Sequence, residues 1–119
     1  MFTLPFSSFD VRPGDWIVCT VDGTDYTARI ERDDTTVPSD FECYSPEQVY
    51  EWERGDWCFV GVVIEAKRNG VPLGGWLTGL WGIESDSSPE YFLEVANDLL
   101  REAIPLANEA RKRIALAMA

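Results

Sequence analysis

Residues 57–64, WCFVGVVI, run for eight positions without a charge and are rich in β-branched side chains. A run this short and this apolar reads as an interior strand covered on both faces. A chain with such a segment must also supply strands to flank it and a helix to cover it. The rest of the sequence can be searched for both.

The flanking strands are marked by turn residues. Residues 15–33, DWIVCTVDGTDYTARIERD, hold two runs rich in Val, Ile, Thr and Tyr on either side of Asp22-Gly23, a pair suited to a tight hairpin. Tyr26, Ala28 and Ile30 alternate with Asp25, Thr27, Arg29 and Glu31, which gives one dry face and one wet face. The RPGD at 12–15 and the KRNG at 67–70 are further turns, and residues 75–84, GWLTGLWGIE, form a last strand loosened by glycine. Residues 1–12 read as irregular or as a short edge strand. A short helix spans 45–55, with Ser45 and Gln48 as a capping box, Pro46 in the first turn and Gly55 as the C-terminal cap.

The cover is a long C-terminal helix begun by Ser87 or Ser88, with Pro89 in its first turn. Its apolar stripe is Phe92, Val95, Ala96, Leu99, Ala103, Leu106, Ala107, Ala110 and Ile114. Pro105 lies within the stripe and should kink or split the helix. The element order is β-β-α-β-β-α. It predicts an α+β fold: an antiparallel sheet of about four strands with both helices packed on one face. The 119 residues fit a single domain, 1–119, and the 45% apolar content is enough for a core.

Several chemistries lose support at once. The chain has no His, so histidine acid–base catalysis is excluded. GVPLGG at 70–75 lacks the Lys and the following helix of a phosphate-binding loop. DDTTVPSDFE at 33–42 lacks the spacing of a calcium loop. Cys19, Cys43 and Cys58 are odd in number and widely spaced, and Cys19 and Cys58 sit in apolar runs. That pattern fits free thiols in a reducing cytoplasm. No basic-then-apolar leader and no membrane-length apolar run is visible. The chain is expected not to be an enzyme and to use no metal or cofactor. The five Trp are read as bulk for core and edge packing.

What stands out is acid. There are 21 acids against 10 bases, a net charge of −11, which disfavours direct contact with nucleic acid or anionic lipid. Within the C-terminal helix Glu90, Glu94, Asp98 and Glu102 recur every four residues. Each like-charge pair at that spacing costs roughly 0.2–0.5 kcal/mol. Ser87 can form a capping box with Glu90, and Arg101 can pair with Asp98, but the rest of the ladder is uncompensated. Residues 31–56 hold nine acids and two bases, a net −7, and the short helix repeats the four-residue spacing at Glu47 and Glu51. The bases Arg111, Lys112 and Arg113 gather where cations suit a helix C-terminus. Glu90, Glu94, Asp98 and Glu102 are one candidate partner-binding row, and Glu47, Glu51, Asp33 and Asp34 a second.

RIERDD at 29–34, SPEQVYEWERGDW at 45–57, LWGIES at 80–85 and the C-terminal helix give the chain a recognisable character. It resembles the small acidic accessory proteins carried by phages and plasmids, among them anti-CRISPR and anti-restriction proteins, many of which mimic DNA. The resemblance implies an inhibitor or decoy that covers a basic, nucleic-acid-binding surface of a host protein. Two other readings stay open. One is a chaperone or immunity-type protein for an effector or toxin, with WLTGLWGI at 76–83 as an apolar or homodimer face. The other is a small-molecule binder or enzyme with a pocket lined by two Trp and a polar cluster.

Overall fold

A computed structural model describes Phe6 and residues 14–118. Apart from Phe6, the segment read as irregular or an edge strand at 1–12 lies outside the described residues. Strands β1 (Trp16–Val21) and β2 (Thr24–Arg32) form the expected hairpin. Asp22 and Gly23 have φ of 51° and 79°, the paired left-handed residues of a type I′ turn, whose twist matches that of the strands it joins. The uncharged run becomes β3 (Phe59–Arg68), which pairs antiparallel with β2 on one side and with β4 (Val71–Pro72) and β5 (Thr78–Glu84) on the other. Asn69 and Gly70, at φ 52° and 79°, make a second turn of the same kind between β3 and β4. The expected strand at 75–84 begins three residues late, and the two-residue β4 is the fifth strand. Between them the chain leaves the edge, held at both ends by Leu73 N to Ala66 O and Leu77 N to Ile64 O, each 2.9 Å.

Helix α2 (Pro89–Met118) covers one face of this sheet. From the sheet come Tyr26, Ala28, Ile30, Val60, Val62, Ile64, Ala66 and Ile83; from the helix come Phe92, Ala96, Leu99, Leu100, Ala103 and Ala107. Four alanines on the buried stripe, Ala96, Ala103, Ala107 and Ala110, let the helix lie close to the strands. Leu106, expected in the stripe, is 45% exposed, and Leu100 is fully buried instead. Pro105 does not split the helix, which runs through it unbroken. Pro105 is exposed, so the Arg101 carbonyl that it leaves unbonded can be hydrated. The cap is Ser88, whose Oγ accepts from Tyr91 N at 3.1 Å. That puts Tyr91 rather than Glu90 at the capping-box position, so the expected Ser87–Glu90 box does not form. Asn97 is buried in the helix and satisfied: its Nδ2 donates to Leu93 O at 3.1 Å, and its Oδ1 accepts from Phe6 N at 3.4 Å.

The connection from β2 to β3 carries helix α1 (Pro46–Arg54), and its Phe41 and Tyr44 pack on Phe59, which alternates with the α2-facing Val60 and Val62. Ser45 Oγ accepts from Gln48 N, Gln48 Oε1 accepts from Ser45 N, and Gly55 ends the helix at φ 87°. Beneath the connection Phe41, Tyr44, Trp57 and Phe59 form an aromatic cluster, with Tyr44 stacked on Trp57 at 5.4 Å. Asp33, expected on an exposed acidic patch, is buried. Its carboxylate accepts from the backbone N–H and hydroxyl of both Thr35 and Thr36 and from Gly82 N of β5, at 2.6–3.1 Å. Burial works against its charge, but the bonds from Thr36 and Thr35 outweigh it and hold its pKa down, at about 2.

Two outcomes follow. Asp33 ties the connection to β5 only while charged. Its stabilisation is complete above the ordinary carboxyl pKa, near 4, and is lost as the pH falls toward 2. Asp33→Asn should lower stability at pH 7 by about 2 kcal/mol, since the new amide group faces donors that it cannot accept from. Denaturant melts should also show less loss of stability between pH 4 and 2 in the variant than in wild type. Equal stability of the two at pH 7 would show that the clasp is dispensable. For the thiols, Cys19 pairs with Tyr26, Tyr26 with Ala66, and Cys58 lies eight strand residues from Ala66, roughly 26 Å away. A disulfide needs Cα atoms within about 7 Å, and all three cysteines are free. Thermal melts with and without reductant should therefore coincide. A drop of several degrees on reduction would contradict this.

Candidate acidic interface

The four carboxylates of the ladder lie together. Glu90, Glu94, Asp98 and Glu102 are all exposed along the side of α2 that faces away from the sheet. Successive members are about 6 Å apart along the axis. Arg101 Nη1 donates to Asp98 Oδ1, as the spacing suggested. Among the described residues Glu90, Glu94 and Glu102 have no ion-pair partner. Leu93 and Asn97 line a shallow groove beside the row. Glu90 stands in the first turn, where the helix dipole favours a negative charge.

The second expected patch comes apart. Glu47 is exposed and Glu51 half-buried on α1, Asp34 is exposed and paired with Arg32 at 3.3 Å, and Asp33 is committed inside the fold. Glu53 and Asp86, which the spacing did not single out, are exposed as well. The sheet register relates the two acidic elements. Phe59, three residues beyond Asp56, pairs with Glu84, and α2 starts five residues after Glu84, so α1 and the first turn of α2 meet the same end of the sheet. Arg68 and the run Arg111, Lys112 and Arg113 lie toward the other end, while Arg32 and Arg54 stay among the acids. Arg68 and Arg111 line one groove with Val71, Leu73 and Ile114, and Arg68 Nη1 donates to Asp22 O and Thr24 Oγ1 across the hairpin. Acid is thus densest at the end that α1 and the start of α2 share.

The acidic end holds a cleft of about 550 Å³ whose lining includes Trp52, Trp57 and Phe59 with Arg32, Asp34 and Asp56. Two of its carboxylates already face guanidinium groups of the chain itself, Asp34 with Arg32 and Asp56 with Arg54. Trp57 Nε1 donates to Gln48 O at 3.1 Å. Nearby, Tyr44 Oη donates to Glu84 Oε1 at 2.7 Å; burial and this bond push the phenol well above its ordinary pKa, so it stays neutral and fixes Glu84. Burial, helped by the charge of Asp25, raises the Cys19 thiol to about 11, which leaves it protonated and inert at neutral pH. Among the described residues no group of three or more Cys, Asp or Glu side chains is placed to share a metal ion.

One surface was legible in the sequence only in part, through WLTGLWGI at 76–83. Three of the five Trp are exposed, Trp16 at 57%, Trp76 at 54% and Trp81 at 41%, rather than packed in the core. They lie on or beside the sheet face that α2 does not cover. The signal was ambiguous in the first strand: WIVCTV alternates apolar with apolar, so its pattern cannot say which face is dry. Among the described residues, no helix is long and apolar enough to cross a membrane. Comparison with family models, with curated proteins and with solved structures gave no match to this chain.

Proposed function

We propose that this chain is an acidic binding protein that occludes a basic surface of a partner, as an inhibitor or decoy. The supporting observation is the row Glu90, Glu94, Asp98 and Glu102, exposed on a single helix face with one guanidinium beside it. A rigid helix fixes the carboxylates, so they can meet Lys and Arg side chains that otherwise hold phosphates, including those of a nucleic-acid-binding protein. Exposed pairs contribute only about 0–1 kcal/mol each. The row must therefore act collectively, with Glu47 and Glu51 adding to the field at the same end. The denser acid at that end would orient the chain as it approaches a basic surface. No metal or cofactor enters this reading.

A second reading, a chaperone or immunity-type protein, is favoured by the uncovered Trp-bearing sheet face, which gives the apolar contact area that such a role requires.

The two diverge in a direct test. Partner captured from extracts of the source cells on the immobilised chain should elute early in a salt gradient, since exposed charges are screened within about 10 Å at 0.1 M salt. The triple variant Glu90→Gln, Glu94→Gln, Glu102→Gln should weaken that complex roughly tenfold or more at low salt. Its own stability should hold or rise by a few tenths of a kcal/mol as repulsion is relieved. Unchanged affinity without salt dependence would reject the acidic row as the contact surface.

A further inference from the structure

We infer that the cleft at the acidic end receives an arginine side chain of the basic partner, its guanidinium set against aromatic walls and drawn in by carboxylates. The inference rests on the acidic-binding reading and names a contact within it: the row on α2 attracts, and the cleft anchors. Row and cleft share no residue, so each can be tested without the other.

The cleft, of about 550 Å³, is bounded by residues 33–36 and by the C-terminal end of α1. Trp57 and Phe59 line it and are held in place before any ligand arrives. Tyr44 stacks on Trp57 at 5.4 Å, Phe59 meets Trp57 edge-on at 5.1 Å, and Trp57 Nε1 is already bonded to Gln48 O. Trp52, half-buried, lines both this cleft and the neighbouring hollow beside Val49 and Phe41. Walls fixed in advance lose little freedom when a ligand enters. The open sheet face differs. There the Trp81 indole lies flat over Gly61, so close that a Cβ there would fall 2.3 Å from the ring, and Trp76 leans against it with ring centroids 5.5 Å apart. That is an aromatic platform without the charge that would choose a ligand.

In the cleft the charge is there. Its lining holds one base, Arg32, and four acids, Asp33, Asp34, Glu53 and Asp56. Asp34 and Asp56 are neutralised by Arg32 and Arg54. Asp33 and Glu53 are not: among the described residues no guanidinium or ammonium stands within ion-pair distance of either. Asp33 weighs most, because it is only 8% exposed. Its five hydrogen bonds come from neutral donors, which satisfy its lone pairs and cancel none of its charge. Those bonds keep it ionised at neutral pH, so a full negative charge stands in the cleft wall where little water screens it. Such a cleft draws a cation and turns away an anion. The cation is not a metal ion, since no three Cys, Asp or Glu side chains among the described residues are placed to share one. Indole walls favour a planar, weakly hydrated guanidinium over the compact, strongly hydrated ammonium of Lys. The chain makes the same contact beside the cleft, where the Arg54 guanidinium sits over the Tyr50 ring at 5.2 Å while it pairs with Asp56.

A lone arginine is a weak ligand. A cation–ring contact and an exposed ion pair each contribute little, so the free side chain should bind with a Kd of roughly 1–10 mM. On a partner already held by the acidic row, the same contact forms at high effective concentration and adds to the affinity.

The probe is Nα-acetyl-arginine amide, titrated into the intact chain at constant ionic strength and followed by NMR of the indole N–H signals. The Trp52 signal should move saturably, with a Kd of roughly 1–10 mM. Nα-acetyl-lysine amide should bind several-fold more weakly, and the citrulline amide, which keeps the shape without the charge, should leave the signal in place. Glu53→Gln, at an exposed position, should weaken the arginine probe about threefold. Trp52→Leu, read at the Trp57 signal, should remove the preference for arginine over lysine. Should Trp52→Leu unfold α1, Glu53→Gln still decides. The triple variant Glu90→Gln, Glu94→Gln, Glu102→Gln should bind the probe as wild type does, so failure of the row and failure of the cleft are seen separately. A Trp52 signal that arginine does not move overturns the inference and leaves the row to its own test. So does a citrulline probe that binds as well as arginine, an affinity indifferent to Glu53→Gln, or a loss of probe binding in the triple variant.

Discussion

The contact between β3 and α2 organises this protein. Val60, Val62, Ile64 and Ala66 project from one side of the central strand onto a helix whose buried face interleaves alanines with Phe92, Val95, Leu99 and Leu100. Small side chains bring the helix axis near the sheet, and close approach is what keeps Tyr26 and Phe92 from water. With β3 held there, the hairpin pairs along one side and β5 along the other, and the remaining chain is left to the periphery. One long helix can cover one face only. The other face is closed at a single end, by the connection that Asp33 pins to Gly82.

How much of this could be read from the residues depends on how local each cause is. The two type I′ turns, the Ser45–Gln48 box and the Gly55 cap are decided within four residues, and each stands where the pattern placed it. The interior position of β3 was legible because an uncharged β-branched run has few other uses. Misreadings arose where a distant part of the chain decides. Asp33 resembles its exposed neighbour Asp34 in sequence; only Gly82, 49 positions away, makes it structural. Leu106 keeps the helical period of Leu99, yet it is left exposed while Leu100 is buried. The four-residue ladder was visible at once, because its helix and its spacing are both local. The Trp-bearing face was visible only in WLTGLWGI, because β1 is apolar on both of its sides.

Charge and hydrophobicity are kept apart on this surface. The acids occupy the outside of α2, the α1 connection and one end of the sheet. The exposed indoles occupy the open face.

The seat of Trp81 on Gly61 reaches beyond packing. Any side chain at position 61 collides with the ring, while a smaller residue at 81 would leave a strip of central strand bare to water. The two positions therefore constrain each other's history. A change at 61 is tolerated only after 81 has shrunk, and a chain that has lost the indole is free to drift at 61. Among sequences descended from a common ancestor, such a pair should change together or not at all. Co-variation of these two columns would mark the chains that still carry the aromatic platform.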